Sequence, residues 1–174
     1  KSTSEERCAD KDGYATFLLI NLENYIKNGN NAVNVKFYED INKSVPIAPP
    51  YRTETITIYA TTCKGDCESN PVPIKLIVNP IPIAKDVLRM ECPETDGKAS
   101  FDLNQLIPYI KDSINQNIVT FFRDSSLKDT ILSPFRTDSA TLYAQVSNMK
   151  CSNISKVILK SGKLQFNQQI SLYF

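Results

Sequence analysis

Five cysteines are the side chains of this 174-residue sequence with the most distinctive chemistry. Four of them form two pairs of equal spacing, Cys8 with Cys67 and Cys92 with Cys151, each 59 residues apart. This pattern predicts one disulfide in each half of the chain. Closing a loop of that length stabilises a small domain by roughly 4 kcal/mol in the loop-entropy model. Stable disulfides would place the protein in an oxidising compartment, outside the cytoplasm.

Cys63 is the odd cysteine, because Ser147 stands at the position equivalent to it. We expect Cys63 to be unpaired. The alternative is a Cys63–Cys67 bridge that leaves Cys8 free. Zinc at Cys63-x-x-x-Cys67 is disfavoured, because neither a histidine nor a second cysteine pair completes four ligands.

Closely spaced carboxylates precede a glycine turn in both halves of the chain. Asp10 and Asp12 come before Gly13, and Glu94 and Asp96 take the same places in the second half. Convergent carboxylates suit a hard cation, so calcium is one interpretation of these residues. The other is a plain Asp-Gly turn that leads into a strand. No other cofactor is expected.

An arginine followed by threonine also recurs, as Arg52-Thr53 and Arg136-Thr137, each beside an aromatic residue. One interpretation is a carbohydrate or peptide contact, with the arginine as donor and the ring as platform. The other is structural: an arginine stacked over a ring or bonded to a nearby carboxylate.

Composition excludes several classes of function. The sequence has no histidine, which excludes Ser-His-Asp and Cys-His catalysis and histidine-ligated zinc. Its net charge of +1 lacks the basic surplus of a nucleic-acid binder. No apolar run is long enough to span a bilayer. Acid–base catalysis would fall to carboxylates, and no pair is singled out for it. We therefore predict a protein that is not an enzyme, with neither nucleic acid nor an inserted membrane among its partners.

An internal duplication organises the chain. A shift of 84 residues places Cys8 on Cys92 and Cys67 on Cys151 without a gap, and it also aligns Tyr25-Ile26-Lys27 with Tyr109-Ile110-Lys111. Asn79-Pro80-Ile81-Pro82 has the composition of a stiff, extended connector. We predict two domains, 1–82 and 83–174, each with its own core.

Short segments in which apolar and polar residues alternate predict the strands. The segments are 14–19, 33–38, 55–62 and 73–78 in the first domain and 98–103, 118–122, 141–146 and 156–160 in the second. Helical spacing over Leu22–Ile26, ending at Asn28-Gly29, and over Leu103–Ile110 predicts one short helical segment per domain. The predicted fold is all-β: two tandem antiparallel sandwiches of the immunoglobulin-like kind. A turn at 161–163 followed by a last strand over 164–174 is expected at the end.

The ordered set of motifs resembles a known family. Its elements are Cys8–Leu19, Val35–Asp40, Ile58–Ala60, Cys67 and the strand with its linker at Leu76–Pro82, and most recur in the second half. They are similar to the tandem repeats of very large Bacteroidetes cell-surface proteins exported by type IX secretion, including gliding-motility-associated adhesins. The resemblance implies an immunoglobulin-like sandwich that serves as a stalk or adhesive segment.

We therefore expect a non-catalytic structural or adhesion module of an extracellular or cell-surface protein. Its partners would be neighbouring repeats of the same polypeptide, and cell-surface polysaccharide or protein. One alternative is a carbohydrate-binding accessory module of a secreted enzyme. Another is a module that docks a second secreted protein.

Overall fold

The computed structural model describes residues 3–114 and 116–162. Short segments in which apolar and polar residues alternate form strands in both halves of the chain. The chain divides into unit 1, Lys1–Ile81, and unit 2, Pro82–Phe174. The strands of unit 1 are β1 Thr3–Cys8, β2 Ala15–Phe17, β3 Asn34–Tyr38, β4 Pro46–Ile47, β5 Tyr51–Thr53, β6 Ile56–Lys64, β7 Cys67–Glu68 and β8 Val72–Asn79. Those of unit 2 are β9 Val87–Glu91, β10 Ala99–Phe101, β11 Ile118–Phe122, β12 Thr130–Ile131, β13 Phe135–Thr137, β14 Ser139–Ser147 and β15 Ser152–Ser161.

Each unit is built from a large and a small sheet. In unit 1 the large sheet has the order β1-β8-β6-β3-β4, with β7 paired to β6, and the small sheet pairs β2 with β5. In unit 2 the orders are β12-β11-β14-β15-β9 and β10-β13. This arrangement confirms the predicted all-β class with immunoglobulin-like sandwiches.

Apolar side chains from both sheets meet in one core per unit. In unit 1, Phe17 of the small sheet lies with Ile58 and Leu76 of the large sheet, all three fully buried. The equivalent core of unit 2 contains Phe101 and Leu142. Each unit therefore has its own core.

One short helical segment follows the first strand of the small sheet in each unit, as predicted. In unit 1, helix α1 spans Ile20–Lys27 and ends at Asn28, whose left-handed backbone lets its N–H donate to the Asn24 carbonyl. In unit 2 a 3-10 turn, Leu103–Leu106, runs into helix α2, Ile107–Ile110. No helix in the described part of the chain is long and apolar enough to cross a membrane.

Two strands that the sequence pattern missed make the sandwiches partly parallel. Strand β1 pairs in parallel with β8, and β9 pairs in parallel with β15. The prediction of wholly antiparallel sheets was therefore wrong. Strands β1 and β9 each lie at a sheet edge and carry charged side chains. Such side chains protect an edge from pairing with other chains, but they hide the apolar signal of a strand.

The duplication is not gapless to the end of unit 1. Ile58 pairs with Ile74, and the equivalent Leu142 pairs with Val157, so the last strands align with an offset of 83 residues, one less than before. The extra residue of unit 1 lies between Ser69 and Val72, around Pro71. A proline has no N–H for the strand ladder, which favours such an irregularity here.

The predicted turn and last strand after Ser161 are only partly within the described residues. Ser161 is the last residue of β15, and the Gly162 N–H donates to the Glu91 carbonyl over 3.0 Å. Lys163 and residues 164–174 lie outside the described residues.

Candidate functional site

The aspartate turn of unit 1 is held by an arginine. The Asp10 carboxylate accepts from the backbone N–H groups of Asp12 and Tyr14, at 3.0 and 3.1 Å, while Gly13 has the positive φ of 88° that the turn requires. Arg52 reaches this turn from β5. Its Nη2 lies 2.7 Å from Asp10 Oδ2 and 3.2 Å from Asp12 Oδ2.

The equivalent turn of unit 2 has the same arrangement. Arg136 of β13 places Nη2 2.7 Å from Glu94 Oε2 and 2.8 Å from Asp96 Oδ1. Gly97 again supplies the positive φ, at 82°. In both units an arginine thus fastens the turn that leads into the first strand of the small sheet.

The arginines lower the pKa of a carboxyl group in each turn. The hydrogen bond from Arg52 lowers the pKa of Asp10, and the bond from Arg136 lowers the pKa of Asp96. Among the described residues, no group of three metal-binding side chains is found. Calcium at Asp10 and Asp12, or at Glu94 and Asp96, stays a prediction, and the cation present at each carboxylate pair is a guanidinium.

The structural interpretation of the arginine motif is confirmed. The Arg52 guanidinium carbon lies 4.5 Å from the centroid of the Tyr14 ring, so the arginine is both stacked and bonded to carboxylates. The adjacent Tyr51 points to the opposite face of its strand and donates to Glu39 over 2.9 Å. Arg52 and Tyr51 therefore do not form a joint donor and platform for a ligand.

The cysteines differ from the predicted pairs. Cys8 and Cys151 are each disulfide-bonded, whereas Cys63, Cys67 and Cys92 carry free thiols. The predicted Cys8–Cys67 and Cys92–Cys151 bridges are therefore wrong, and the alternative Cys63–Cys67 bridge is absent as well.

Strand positions explain why Cys8 does not reach Cys67. We call the end of unit 1 where β1 and β8 begin its near end, and the end where they finish its far end. Cys8 pairs with Asn79 at the far end. Cys67 pairs with Lys64, the last residue of β6, at the near end. The nine residues of β6 separate the two ends by roughly 26–30 Å at about 3.3 Å per residue, whereas a disulfide needs Cα atoms within about 7 Å.

Unit 2 distributes its cysteines in the same way. Cys92 follows Glu91, which pairs with Ser161 where β9 and β15 finish, at the far end. Cys151 immediately precedes Ser152, the first residue of β15, at the near end. Of the four repeated cysteines, each unit therefore has one at each end.

A different turn holds each near-end cysteine. Cys67 lies in the hairpin of β6 and β7, next to Glu68, whose Oε1 accepts from Thr61 Oγ1 at 2.7 Å and from the Tyr38 hydroxyl at 3.1 Å. Cys151 lies in a turn in which Asn148 Oδ1 accepts the N–H groups of Lys150 and Cys151, at 2.8 and 2.7 Å.

Sequence reasoning missed the polar cluster around Glu68. Lys36 Nζ and Lys43 Nζ lie 3.8 and 3.7 Å from this carboxylate, and the bond from Thr61 lowers its pKa. Burial, and then the bond to Glu68, raises the pKa of Tyr38. The partners come from β3, from β6 and from the segment between β3 and β4, so no local motif marks them. The cluster anchors the hairpin that carries Cys67.

Cys63 is a buried thiol on the same face as Glu68, with which it pairs across β6 and β7. Cys67 pairs with the next residue, Lys64, and so points to the opposite face. The faces alone therefore prevent a Cys63–Cys67 disulfide in this register.

Comparison with protein families gives a match for the first unit. Residues 4–82 match the family model described as the Flavobacterium inter-domain disulphide bond domain. This match supports, for those residues, the resemblance to immunoglobulin-like domains of Bacteroidetes. A comparison with curated proteins found no match.

Solved structures similar to this chain include multidomain immunoglobulin fragments. A fragment of the titin I-band is 12% identical, with 92% of this chain and 63% of that chain covered and a TM-score of 0.40. The extracellular domains 3–5 of Drosophila OTK are 9% identical, with 92% and 60% covered and a TM-score of 0.37. The chain thus spans less than two thirds of either fragment.

Proposed function

We propose, from the match of residues 4–82 to a domain described by its inter-domain disulfide, that this chain is a pair of repeats from a covalently linked array. The array would be the stalk or adhesive segment of a large extracellular protein. The module would be structural, without catalysis, and its partners would be the neighbouring repeats. The proposal includes export by type IX secretion and a place in a gliding adhesin, which the resemblance of the repeat motifs to such proteins supports.

The observation that carries the proposal is the state of the four repeated cysteines. Cys8 is bonded while its equivalent Cys92 is free, and Cys151 is bonded while its equivalent Cys67 is free. The same position thus has opposite states in two units of the same fold. The state of each cysteine therefore depends on what adjoins the unit and not on the fold of the unit.

One rule accounts for all four states. If the far-end cysteine of each repeat bonds to the near-end cysteine of the next, Cys8 pairs with Cys151, the two bonded residues. Cys67 would then bond to the far-end cysteine of a preceding repeat. Cys92 would bond to the near-end cysteine of a following repeat. Both free thiols are exposed, as such a role requires.

Mechanical strength follows from this arrangement. A disulfide that joins consecutive repeats adds a covalent connection beside the peptide linker, so an extending force does not act on the linker alone. Disulfides persist in oxidising compartments, which supports a place outside the cytoplasm.

Oxidative assembly of the purified chain tests the proposal. With Cys67 and Cys92 acting as complementary ends, mild oxidation should yield covalent dimers and longer oligomers on a non-reducing gel. Peptide mapping should identify Cys67 joined to Cys92. Cys92→Ser should abolish the longer oligomers and leave at most dimers joined by a Cys67–Cys67 bridge.

Cys63→Ser is the matched control, because Cys63 is free but buried and has no place in the rule. It should oligomerise like the natural chain. Oxidation that joins Cys67 mainly to Cys67, or peptide mapping that finds Cys8 joined to anything other than Cys151, would contradict the proposal.

A further inference from the structure

A cleft of about 530 Å³ opens at the near end of unit 1. Helix α1 contributes Tyr25 and Ile26, and its C-cap contributes Asn28. Ser69 and strands of the large sheet supply the rest of the lining. The floor is apolar, with Ile74 fully buried and Ile26 half-buried, and hydroxyl groups surround it. The volume lies within the range of about 300–1,000 Å³ that is usual for binding sites.

In unit 2 the equivalent place is filled by the chain itself. The segment 82–86, which leads into β9, closes the near end of that sandwich. Ala84 packs against the core, and the Lys85 N–H donates to the Ile110 carbonyl over 2.8 Å. Pro82 is buried, and its carbonyl accepts from Asn153 Nδ2 at 3.1 Å.

The residues that receive this segment are equivalent to residues that line the cleft. Ile110 corresponds to Ile26, and Asn153 corresponds to Ser69. Ile110 is completely buried, whereas Ile26 is only half-buried. The described residues of unit 1, which begin at Thr3, therefore form the same site and include no equivalent of segment 82–86.

The register of the repeat identifies the residues that would cover the cleft of unit 1. Lys1 is equivalent to Lys85 and Thr3 to Val87, so residues equivalent to Pro82, Ile83 and Ala84 would directly precede Lys1. One hydrogen bond of unit 2 has no equivalent. Lys156 donates its N–H to Asp86 Oδ1, but the register places Pro73, which has no N–H, at that position.

We propose that the cleft of unit 1 binds an extended segment of the Pro-Ile-Ala type, supplied by polypeptide ahead of Lys1. Small and apolar side chains of the segment would pack on Ile26 and Ile74. The inference rests on the proposed function only in requiring polypeptide before Lys1. In an array, the linker from each repeat would complete the core of the next.

Hydrogen exchange on the full chain tests this inference. The chain would be extended ahead of Lys1 by Asn-Pro-Ile-Pro-Ile-Ala, a copy of residues 79–84. Exchange in residues 22–30 should slow at least about tenfold, the factor that about 1.4 kcal/mol of stabilisation produces. An extension that ends in Asp instead of Ala should not slow exchange in residues 22–30, because its charge would have to enter the apolar floor of the cleft.

Ala84→Asp in the unextended chain is the matched test in unit 2, and it should speed exchange of residues 107–111. Equal slowing by both extensions would overturn the inference, and so would natural exchange rates in Ala84→Asp. Slowing by a neutral oligosaccharide but not by the extension would overturn it in favour of a sugar site. Since neither extension contains a cysteine, these outcomes are separate from the test of the disulfide rule.

Discussion

Cys8 lies opposite Asn79, at the end of the parallel pair formed by β1 and β8. This register puts the first cysteine of unit 1 at the end where its last strand finishes. Cys67 is held in a hairpin at the other end of the same sheet. Cys8 and Cys67, which the sequence pattern predicts to be bridged, therefore lie at opposite ends of the unit.

Thiol counts should separate the two schemes of pairing. We expect three free thiols in the denatured, unreduced chain, namely Cys63, Cys67 and Cys92. Under the proposed rule, Cys8→Ser should raise the count to four, because it removes the proposed partner of Cys151. Cys67→Ser should lower the count to two. Thiol titration in denaturant checks this. One free thiol in the natural chain would instead favour a bridge within each unit.

Phe17 should be a major determinant of the stability of unit 1. Its ring is fully buried between the two sheets, so Phe17→Ala should cost about 3–5 kcal/mol of unfolding free energy. Urea denaturation followed by circular dichroism measures the loss. Phe101→Ala, at the equivalent position, should destabilise unit 2 by a similar amount. A loss under about 1 kcal/mol at either position would conflict with the described cores.

Acid should weaken the arginine-held turns. Arg136 lowers the pKa of Asp96 in the folded chain, so the turn contributes stability above the unfolded pKa of about 3.9. That contribution is lost as the pH falls through the lower folded pKa. Arg136→Gln should therefore reduce the melting temperature slightly at pH 7 and flatten its fall below about pH 4.

Lys98→Gln is a suitable control for the acid experiment, because it removes one positive charge from the same turn without touching the ion pair. Melting curves from acid to neutral pH provide the measurement. If Arg136→Gln and Lys98→Gln gave the same pH profile, the guanidinium would have no specific effect on Asp96.

Calcium should have little effect while the arginines are in place. Each carboxylate pair already contacts a guanidinium, and calcium would have to displace it and find further oxygen ligands. We expect the melting temperature to be the same in millimolar calcium and in chelator. A clear rise with calcium would instead support a metal site at Asp10 and Asp12 or at Glu94 and Asp96.

Local patterns in the sequence predicted much of the fold. Alternating residues around Phe17, Ile58 and Phe101 identified the inner strands, because a buried strand face requires apolar side chains at every second position. Helix α1 and its end at Asn28 followed from helical spacing. The edge strands β1 and β9 were missed, since their charged side chains give no such alternation.

The sequence by itself determined the duplication, the strands of the core and the turns that end at Gly13 and Gly97. All of these depend on residues close along the chain or on a repeat that is visible in one dimension. Only the tertiary structure decided the states of Cys8, Cys67, Cys92 and Cys151. A disulfide depends on where strands finish in space, and the parallel pairing of β1 with β8 set Cys8 and Cys67 at opposite ends of one sheet.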